Sequence, residues 1–308
     1  MRETASALAR NWSDKPVYFV RNFDNAVYRI SEESVPLYLR ITHERHRSKA
    51  QVESELQVVR HVAGNGVVVG QPVESRLGEF VHTASASDGD YSACVFTEAP
   101  GRAFEESRPT DEKDFFRNAG RRIGLLHEVL SDFDPSNEFV RFKWFDDRWS
   151  KFAEYVPRTE GEAWELFDEL QAFTQTAPCD PPLFGLIHGD FTIANLRIDG
   201  ARIAVFDFDS CCEHWRAYEI AMFLHYFGGR DEDSRKLVYD SVLEGYAQAS
   251  SLPPLLVQQI PLFGRMRLLY SFLVFAIEWG FKGLSPEQER YFALRRRWFR
   301  EPSPWPAR

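Results

Sequence analysis

Cysteine is scarce in this sequence: its 308 residues contain only four cysteines, and these show no C-x-x-C spacing. They are Cys94, Cys179, Cys211 and Cys212. A disulfide framework or a zinc site needs several cysteines at suitable spacing, and adjacent cysteines are a poor metal-binding arrangement. The sequence therefore argues against both and predicts a protein of the reducing cytoplasm.

Positive charge and long apolar runs are also in short supply. The 37 lysines and arginines are outnumbered by 46 aspartates and glutamates, so the net charge is −9. A nucleic-acid binder usually carries a basic face instead. The longest apolar run, Phe272 to Ile277, is far shorter than the roughly 20 residues that cross a bilayer, and the N-terminus lacks the apolar core of a signal peptide. We therefore expect a cytoplasmic protein with no nucleic-acid or membrane partner, and the oligomeric state stays open.

One stretch is dense in polar residues that could bind a metal or handle a proton. It comprises residues 186–210, LIHGDFTIANLRIDGARIAVFDFDS. Two runs of alternating apolar residues flank Asp199-Gly200, a dipeptide that favours a tight hairpin turn because it tolerates positive φ. The predicted hairpin folds Asp207 back towards Asn195.

Three side chains in this stretch suit phosphoryl transfer. Transfer from a nucleotide needs Mg²⁺ bound by a carboxylate and a further oxygen ligand, and a second carboxylate that orients the acceptor hydroxyl. Asp207 and Asn195 fit the two metal-binding roles. Asp190, which four residues separate from Asn195, fits the catalytic role. The sequence therefore predicts a Mg²⁺-dependent kinase.

The pattern H-G-D-x-x-x-x-N followed by D-F-D resembles the catalytic segment of the aminoglycoside phosphotransferase and choline kinase-like family, in the protein-kinase-like superfamily. Gly189, where protein kinases have arginine, and Asp209, where they have glycine, favour this small-molecule branch. The resemblance implies an α+β fold of two lobes. A small β-sheet lobe with one main helix, residues 1–98, binds nucleotide, and a mainly helical lobe, residues 99–308, carries the catalytic loop and the acceptor site.

Apolar alternation predicts strands, and apolar residues at helical spacing predict helices. In the first lobe we expect two strands within residues 17–30, and further strands at 37–42, 67–73, 78–83 and 91–97. Helices are expected at residues 48–63, 111–130, 144–155, 162–174, 216–227, 233–249, 255–280 and 286–300.

Arg40 lies on the opposite face of its predicted strand from the apolar residues. The resemblance implies that Arg40 contacts the α- and β-phosphates of the nucleotide, although an ordinary surface arginine is the alternative. An ion pair with Glu55 on the first long helix would orient Arg40, as the equivalent pair does in kinases. Glu53 is the other candidate partner.

The resemblance implies further nucleotide contacts. Asn25 matches an asparagine that is frequent before the second strand of the family. Phe96 and Glu98 lie at a strand end before a Pro-Gly dipeptide, where the family has the hinge that binds the adenine edge. The tip at residues 21–25 contains no glycine, so the glycine-rich loop that covers phosphates in protein kinases is missing.

Three residues keep open roles. Glu219, in Tyr-Glu-Ile-Ala, replaces an aspartate that braces the catalytic loop in the family. His127 on a predicted helix is expected to be a packing residue. Asp209 is either a second carboxylate beside the metal or a clamp on the acceptor.

Together these features predict a phosphotransferase that uses ATP and Mg²⁺ to phosphorylate a hydroxyl group of a small molecule. The expected acceptors are an aminoglycoside, an amino alcohol or a hydroxy amino acid such as homoserine. GTP stays an alternative nucleotide, because the hinge binds the base mainly through its backbone. Two other functions stay open: a serine/threonine protein kinase of the same superfamily, and a non-catalytic nucleotide-binding regulator.

Overall fold

The computed structural model describes residues 2–31, 35–107, 111–145 and 148–306. The predicted α+β class is confirmed, because the N-terminal part forms an antiparallel sheet and the C-terminal part is mostly helical. Two compact units each combine separate stretches of chain. The sheet unit comprises residues 1–108, 132–141 and 195–209, and the helical unit comprises residues 109–131, 142–194 and 210–308. The single lobe boundary between residues 98 and 99 stays a prediction.

The main sheet lies in the sheet unit and is antiparallel throughout. Its strands are β1 (Val17–Asn22), β2 (Asn25–Ile30), β3 (Leu37–His43), β4 (His82–Ala86) and β5 (Gly89–Thr97). Their spatial order is β1-β2-β3-β5-β4. The two strands predicted within residues 17–30 are present as β1 and β2, which flank a short polar tip.

Helices cover both faces of this sheet, since successive side chains of a strand point to opposite faces. Leu39 of β3 belongs to a core shared with α1 (Arg2–Ala9). Cys94 of β5 packs on the other face against α2 (Lys49–Gly64). Arg40, which pairs with Cys94 across the ladder, therefore points towards α2.

The start of α2 is fixed by a capping box, a reciprocal pair of hydrogen bonds at a helix N-terminus. Ser48 Oγ accepts the backbone N–H of Gln51 at 3.3 Å, and Gln51 Oε1 accepts the backbone N–H of Ser48 at 3.0 Å. The cap sets the register of the helix, which confirms the prediction for residues 48–63 to within one residue.

A hairpin of β7 (Leu196–Asp199) and β8 (Arg202–Val205) completes the sheet unit and confirms the predicted Asp-Gly turn. Gly200 has φ of 58°, as the turn requires. The backbone N–H of Val205 donates to the carbonyl of Val68 at 2.9 Å, which attaches the hairpin to the rest of the unit.

Helices dominate the helical unit. After α3 (Phe104–Ser107), which belongs to the sheet unit, the helices are α4 (Glu112–Ser131), α5 (Phe152–Tyr155), α6 (Gly161–Thr176), α7 (Arg216–His225), α8 (Glu232–Ala247), α9 (Pro254–Trp279) and α10 (Pro286–Arg300). Helix α4 packs on α8, and α7 packs on α9. Strands β6 (Phe184–Ile187) and β9 (Cys212–Trp215) form an antiparallel pair, and the H-G-D loop follows β6 directly.

Helix α9 is a long apolar helix of the helical unit. By length and composition alone it satisfies the requirements for a membrane span, and so does the core helix of many soluble proteins. Its side chains Phe263 and Phe272 are fully buried, and the helix packs on α6, α7 and α10. The cytoplasmic location and the absence of a membrane partner stay predictions.

Two of the predicted strands are wrong: one is not a continuous strand, and the other lies at a different position. Residues 67–73, all of them described, form isolated bridges instead of a strand, at Val69 with Val205 and at Pro72 with Phe96. Proline lacks the N–H that a continuous ladder requires. The strand predicted at residues 78–83 is displaced towards the C-terminus, because β4 and β5 extend to a tight turn at Asp88.

The helix predicted at residues 144–155 is largely wrong as well. In the described part of that range, residues 144–145 and 148–155, the helical structure is a short 3₁₀ turn at Trp149–Lys151 followed by the single turn of α5. Trp144 packs on Trp149 and Trp215, with ring centroids 6.4 and 5.5 Å apart. The side chains of Trp144 and Trp149 are therefore used for aromatic packing and do not form the apolar face of a helix.

Candidate active site

A buried ion pair joins β3 to α2. The Nη1 and Nη2 atoms of Arg40 donate to the two carboxylate oxygens of Glu55, each at 2.7 Å. Only 6% of the Arg40 side chain and 1% of the Glu55 side chain are exposed. Burial alone lowers the pKa of Arg40, but the adjacent Glu55 carboxylate outweighs it and holds that pKa well above its usual range. The predicted partner is thus in place, whereas Glu53 lies on the surface beside Lys49.

Asp207, the first aspartate of D-F-D, lies two residues after the end of β8 and has φ of 69°, an uncommon backbone conformation for a residue other than glycine. One of its carboxylate oxygens accepts a hydrogen bond from Nη2 of Arg21 at 2.6 Å. The other lies 3.9 Å from Nη1 of Arg40. The carboxylate is therefore flanked by two arginines, and strained backbone of this kind is typical of functional positions.

Asn195, the second predicted metal ligand, is buried just before β7. Its backbone carbonyl accepts the N–H of Phe206 at 3.1 Å. Since Phe206 immediately precedes Asp207, the hairpin returns Asp207 to the neighbourhood of Asn195, as the turn at Asp199-Gly200 predicted.

The donor atoms of these two residues fit a particular class of metal. Asn195 and Asp207 offer an amide oxygen and a carboxylate, which are the hard ligands that Mg²⁺ and Ca²⁺ prefer. Among the residues that the structure describes, no group of three or more His, Cys, Asp or Glu side chains is arranged to hold an ion. A two-ligand site suits a cation whose remaining positions are filled by phosphate oxygens and water, as in kinases.

Asp209, the second acid of D-F-D, is bound by basic side chains of the sheet unit. His46 Nε2 lies 2.7 Å from its Oδ2, and Arg47 Nε lies 3.7 Å from its Oδ1. Arg141 donates to its backbone carbonyl. Burial alone raises the pKa of Asp209, but the His46 hydrogen bond and the positive charges of Arg47 and Arg40 outweigh it and hold that pKa well below its usual range.

These contacts indicate a structural role for Asp209. Its side chain is only 9% exposed, and its bonds run to the loop between β3 and α2. The carboxylate therefore anchors the D-F-D segment on that loop, two residues after Asp207. This arrangement favours neither of the two roles that the sequence left open.

The H-G-D loop of the helical unit depends on its glycine. Gly189 has φ of 80°, and a Cβ atom there would lie 2.1 Å from the carbonyl oxygen of Ser210. No side chain fits at that distance, so the arginine that protein kinases carry is excluded here. His188 is fully buried, and its Nδ1 accepts the backbone N–H of Asp190 at 3.2 Å. Asp190 itself is half-buried.

Glu219 of α7 binds the backbone of this loop. Its Oε1 accepts the N–H of Gly189 at 2.8 Å, and its Oε2 accepts the N–H of His188 at 3.2 Å. Glu219 is fully buried. The glutamate thus reaches the loop in the helical unit, and the longer side chain does not prevent the bracing that the family resemblance implied.

A buried histidine and tyrosine hold Glu219 in turn. His127 Nε2 lies 3.0 Å from Oε2 of Glu219, and His127 Nδ1 lies 2.9 Å from the hydroxyl of Tyr246. An ionised carboxylate only accepts hydrogen bonds, so the His127 proton sits on Nε2 and the tyrosine hydroxyl donates to Nδ1. His127 is therefore a positioning residue for Glu219, which agrees with the predicted packing role.

The pKa values in this network are consistent with that arrangement. Burial lowers the pKa of His127, which keeps the imidazole neutral. Burial alone raises the pKa of Glu219, but the hydrogen bond from His127 and the backbone N–H of Gly189 outweigh it and hold that pKa below its usual range. The carboxylate under the H-G-D loop is consequently ionised.

The remaining residues of the predicted nucleotide site are distributed along the sheet. Phe96 is half-buried, and its ring centroid lies 5.2 Å from Cζ of Arg40. Glu98 is exposed and accepts a hydrogen bond from the hydroxyl of Tyr38 at 2.8 Å. Asn25 is buried, and its Oδ1 accepts from the hydroxyl of Thr42 at 2.6 Å. Phe96 therefore lies beside Arg40, whereas Asn25 and Glu98 contact other parts of the sheet.

Sequence reasoning missed four basic residues at this site: Arg21, His46, Arg47 and Arg141. All four reach the D-F-D segment from positions at least 68 residues away in the chain. The tip at residues 21–25, which contains Arg21 and lacks glycine, was a sequence signal for Arg21. The other three had no recognisable pattern.

Comparison with known proteins identifies the family of the chain. A family model described as the phosphotransferase enzyme family, APH, matches residues 18–269. The chain belongs to this phosphotransferase enzyme family. The phosphotransferase is 28% identical over 281 residues to the amicoumacin kinase of Bacillus subtilis (strain 168), an alignment that covers 87% of this chain and 83% of that protein.

Two solved structures are similar to the phosphotransferase along most of its length. An amicoumacin kinase in complex with AMP-PNP, Ca²⁺ and Ami has a TM-score of 0.89 at 22% identity, with 97% of this chain and 92% of that chain covered. A microcompartment-associated aminopropanol kinase has a TM-score of 0.77 at 24% identity, with 95% and 93% covered. These likenesses confirm the predicted protein-kinase-like fold.

The predictions of the family and of an enzyme are confirmed by the family match. The chain is a small-molecule kinase of this family, which does not support the alternative of a non-catalytic regulator.

Proposed function

We propose that this phosphotransferase transfers the γ-phosphoryl group of ATP, with Mg²⁺, to a hydroxyl group of a small amine-bearing alcohol. The observation that carries the proposal is the position of the buried Arg40–Glu55 pair, 3.9 Å from the carboxylate of Asp207. An arginine fixed by a buried carboxylate, next to an oxygen ligand for a cation, is the combination that binds a polyphosphate.

Arg40 has the task of neutralising phosphate charge. Its guanidinium is already oriented by the two hydrogen bonds that it donates to Glu55, so it loses little conformational freedom when a phosphate binds. Asn195 and Asp207 would hold Mg²⁺. When bound, this ion supplies charge neutralisation and alignment of the phosphate oxygens.

Asp190 has the task of orienting the acceptor. As a half-buried carboxylate on a loop braced by Glu219, it can accept the hydrogen bond of an acceptor hydroxyl and take up its proton as the new O–P bond forms. The bond from the γ-phosphorus to the bridging oxygen breaks at the same time, and ADP leaves with its electron pair. Catalysis by these residues is largely positioning and electrostatic stabilisation.

The names of the relatives support the acceptor class. The 28% identical Bacillus subtilis protein is an amicoumacin kinase, and one structural neighbour is an aminopropanol kinase. We infer from these names an acceptor that carries both an amine and a hydroxyl group. Hydroxy amino acids and aminoglycosides share those two groups and belong to the same test.

A panel of acceptors tests the proposal. Purified protein with ATP and Mg²⁺ is incubated with amicoumacin, 1-amino-2-propanol, homoserine, choline and an aminoglycoside, and ADP release is followed together with ³¹P NMR of the product. We expect a phosphate monoester with at least one amine-bearing alcohol, and none with the Asp190→Asn variant. Phosphorylation of protein substrates alone, with no small-molecule ester, would contradict the proposed acceptor class.

A further inference from the structure

Strand β1 has an irregularity just before the tip that lacks glycine. Phe19 pairs with Tyr28 and Arg21 pairs with Val27. The chain therefore advances by two residues on β1 where it advances by one residue on β2. This is a β-bulge with Val20 as the extra residue, and a bulge redirects the side chains that follow it. The bulge therefore sets the direction of the Arg21 side chain.

The redirected side chain reaches the D-F-D segment. Arg21 Nη2 donates to Oδ2 of Asp207 at 2.6 Å, although 186 residues separate the two in sequence. Arg40 lies 3.9 Å from the other carboxylate oxygen and is held in place by its ion pair with Glu55. Arg21 is thus the second cation at this carboxylate, and with 53% of its side chain exposed it can move to a new partner.

The tip itself offers little for a phosphate. Residues 22–25 contain no glycine, and the N–H of Phe23 is engaged with the carbonyl of Asn25 at 3.4 Å. A glycine-rich loop binds phosphate through close backbone approach, and here every position of the tip carries a side chain instead. A basic side chain beside the tip is therefore the better candidate for a phosphate contact from β1 and β2.

We propose that Arg21 binds the phosphate groups of the nucleotide and takes the place of a glycine-rich loop. The inference rests on the proposed function, because it places the phosphates at Asp207. A cation bound to Asp207 competes with Arg21 for the same carboxylate. The guanidinium then finds its new anionic partner in the adjacent phosphate oxygens, which match its planar donors.

The test is equilibrium binding without turnover. The affinities of ATP, ADP and adenosine, with Mg²⁺ and no acceptor, are measured by calorimetry for wild type, Arg21→Gln, Arg21→Lys and Arg29→Gln. Arg29 is an exposed arginine of the adjacent strand β2, so its variant removes the same charge from the same sheet. Thermal unfolding verifies that all four proteins are folded.

We expect Arg21→Gln to weaken ATP binding by about tenfold or more, the effect of losing a hydrogen bond to a charged group. The lysine variant regains part of this affinity, adenosine binds all four proteins equally, and Arg29→Gln matches wild type. Wild-type affinity for ATP in Arg21→Gln overturns the inference and leaves the proposed function standing. An equal loss of ATP affinity in Arg29→Gln has the same two consequences. A wild-type protein that binds no ATP overturns both.

Discussion

The carboxylate of Glu219 accepts hydrogen bonds from two consecutive backbone N–H groups of the H-G-D loop, those of His188 and Gly189. Glu219 lies 31 and 30 residues after these partners, on α7, and is fully buried. A packed helix therefore determines the conformation of the segment that ends in Asp190.

Replacing Glu219 by glutamine tests this relationship. The side-chain NH2 group of glutamine is a hydrogen-bond donor, and it would face the donor N–H groups of the loop. One buried backbone N–H therefore loses its acceptor. We expect kcat to fall by about 10- to 100-fold, the equivalent of one unsatisfied buried group, with little change in KM for ATP. Steady-state kinetics measure both values. Glu213→Gln, an exposed glutamate of β9, is the matched control, and equal kinetics for the two variants would refute the bracing role.

Gly189→Ala tests the reason for glycine in the loop. A Cβ atom would collide with the carbonyl oxygen of Ser210, and φ of 80° disfavours alanine as well. We expect a lower melting temperature and a loss of turnover. Gly185→Ala is the control, because its Cβ would meet only Arg216 at ordinary contact distance. An alanine variant at residue 189 with wild-type stability and turnover is incompatible with this geometry.

Glu55→Gln leaves the buried guanidinium of Arg40 without its counter-charge. Breaking one side of a buried ion pair typically costs about 3–5 kcal/mol, so we expect a loss of this order in the free energy of unfolding. ATP affinity should fall too, because Arg40 loses its orientation. Urea denaturation and nucleotide titration measure the two effects. Glu53→Gln, on the exposed face of the same helix, is expected to change neither.

The local parts of this site were predictable from sequence, because they depend on near neighbours. The turn at Asp199-Gly200 and the helical register of Glu55 follow from turn chemistry and periodicity. The contact of Arg21 with Asp207 and the anchoring of Asp209 by His46 were not predictable. Both depend on contacts across more than 160 residues, which no local pattern specifies.

The errors in the predicted secondary structure have a similar origin. Residues 67–73 have the apolar run of a strand, but their partner is the distant Val205 and Pro72 interrupts any ladder. Trp144 is part of a helical pattern in sequence, yet aromatic packing against Trp215 takes precedence over helix formation. In both cases tertiary contacts override local preference.

Stability should decrease as the pH falls below about 6.5, the pKa of an unperturbed histidine. Burial lowers the pKa of His214 to about 3 and that of His225 to about 4, so the unfolded state binds protons before the folded state does. By linkage, the stability present above pH 6.5 is lost progressively as the pH falls towards these folded-state values. Thermal unfolding from pH 8 to pH 5 measures the slope. A flat profile over that range would show that these histidines titrate normally.

We propose that Asp190 acts on the acceptor hydroxyl and that the residues around Arg40 and Asp207 bind the nucleotide. The most direct measurement compares Asp190→Asn with wild type in two assays: Mg²⁺·ATP affinity by calorimetry and turnover with the acceptor found in the panel. We expect unchanged ATP affinity and a fall in kcat by orders of magnitude, because a neutral amide cannot take up the hydroxyl proton. Near-normal turnover in Asp190→Asn would contradict it.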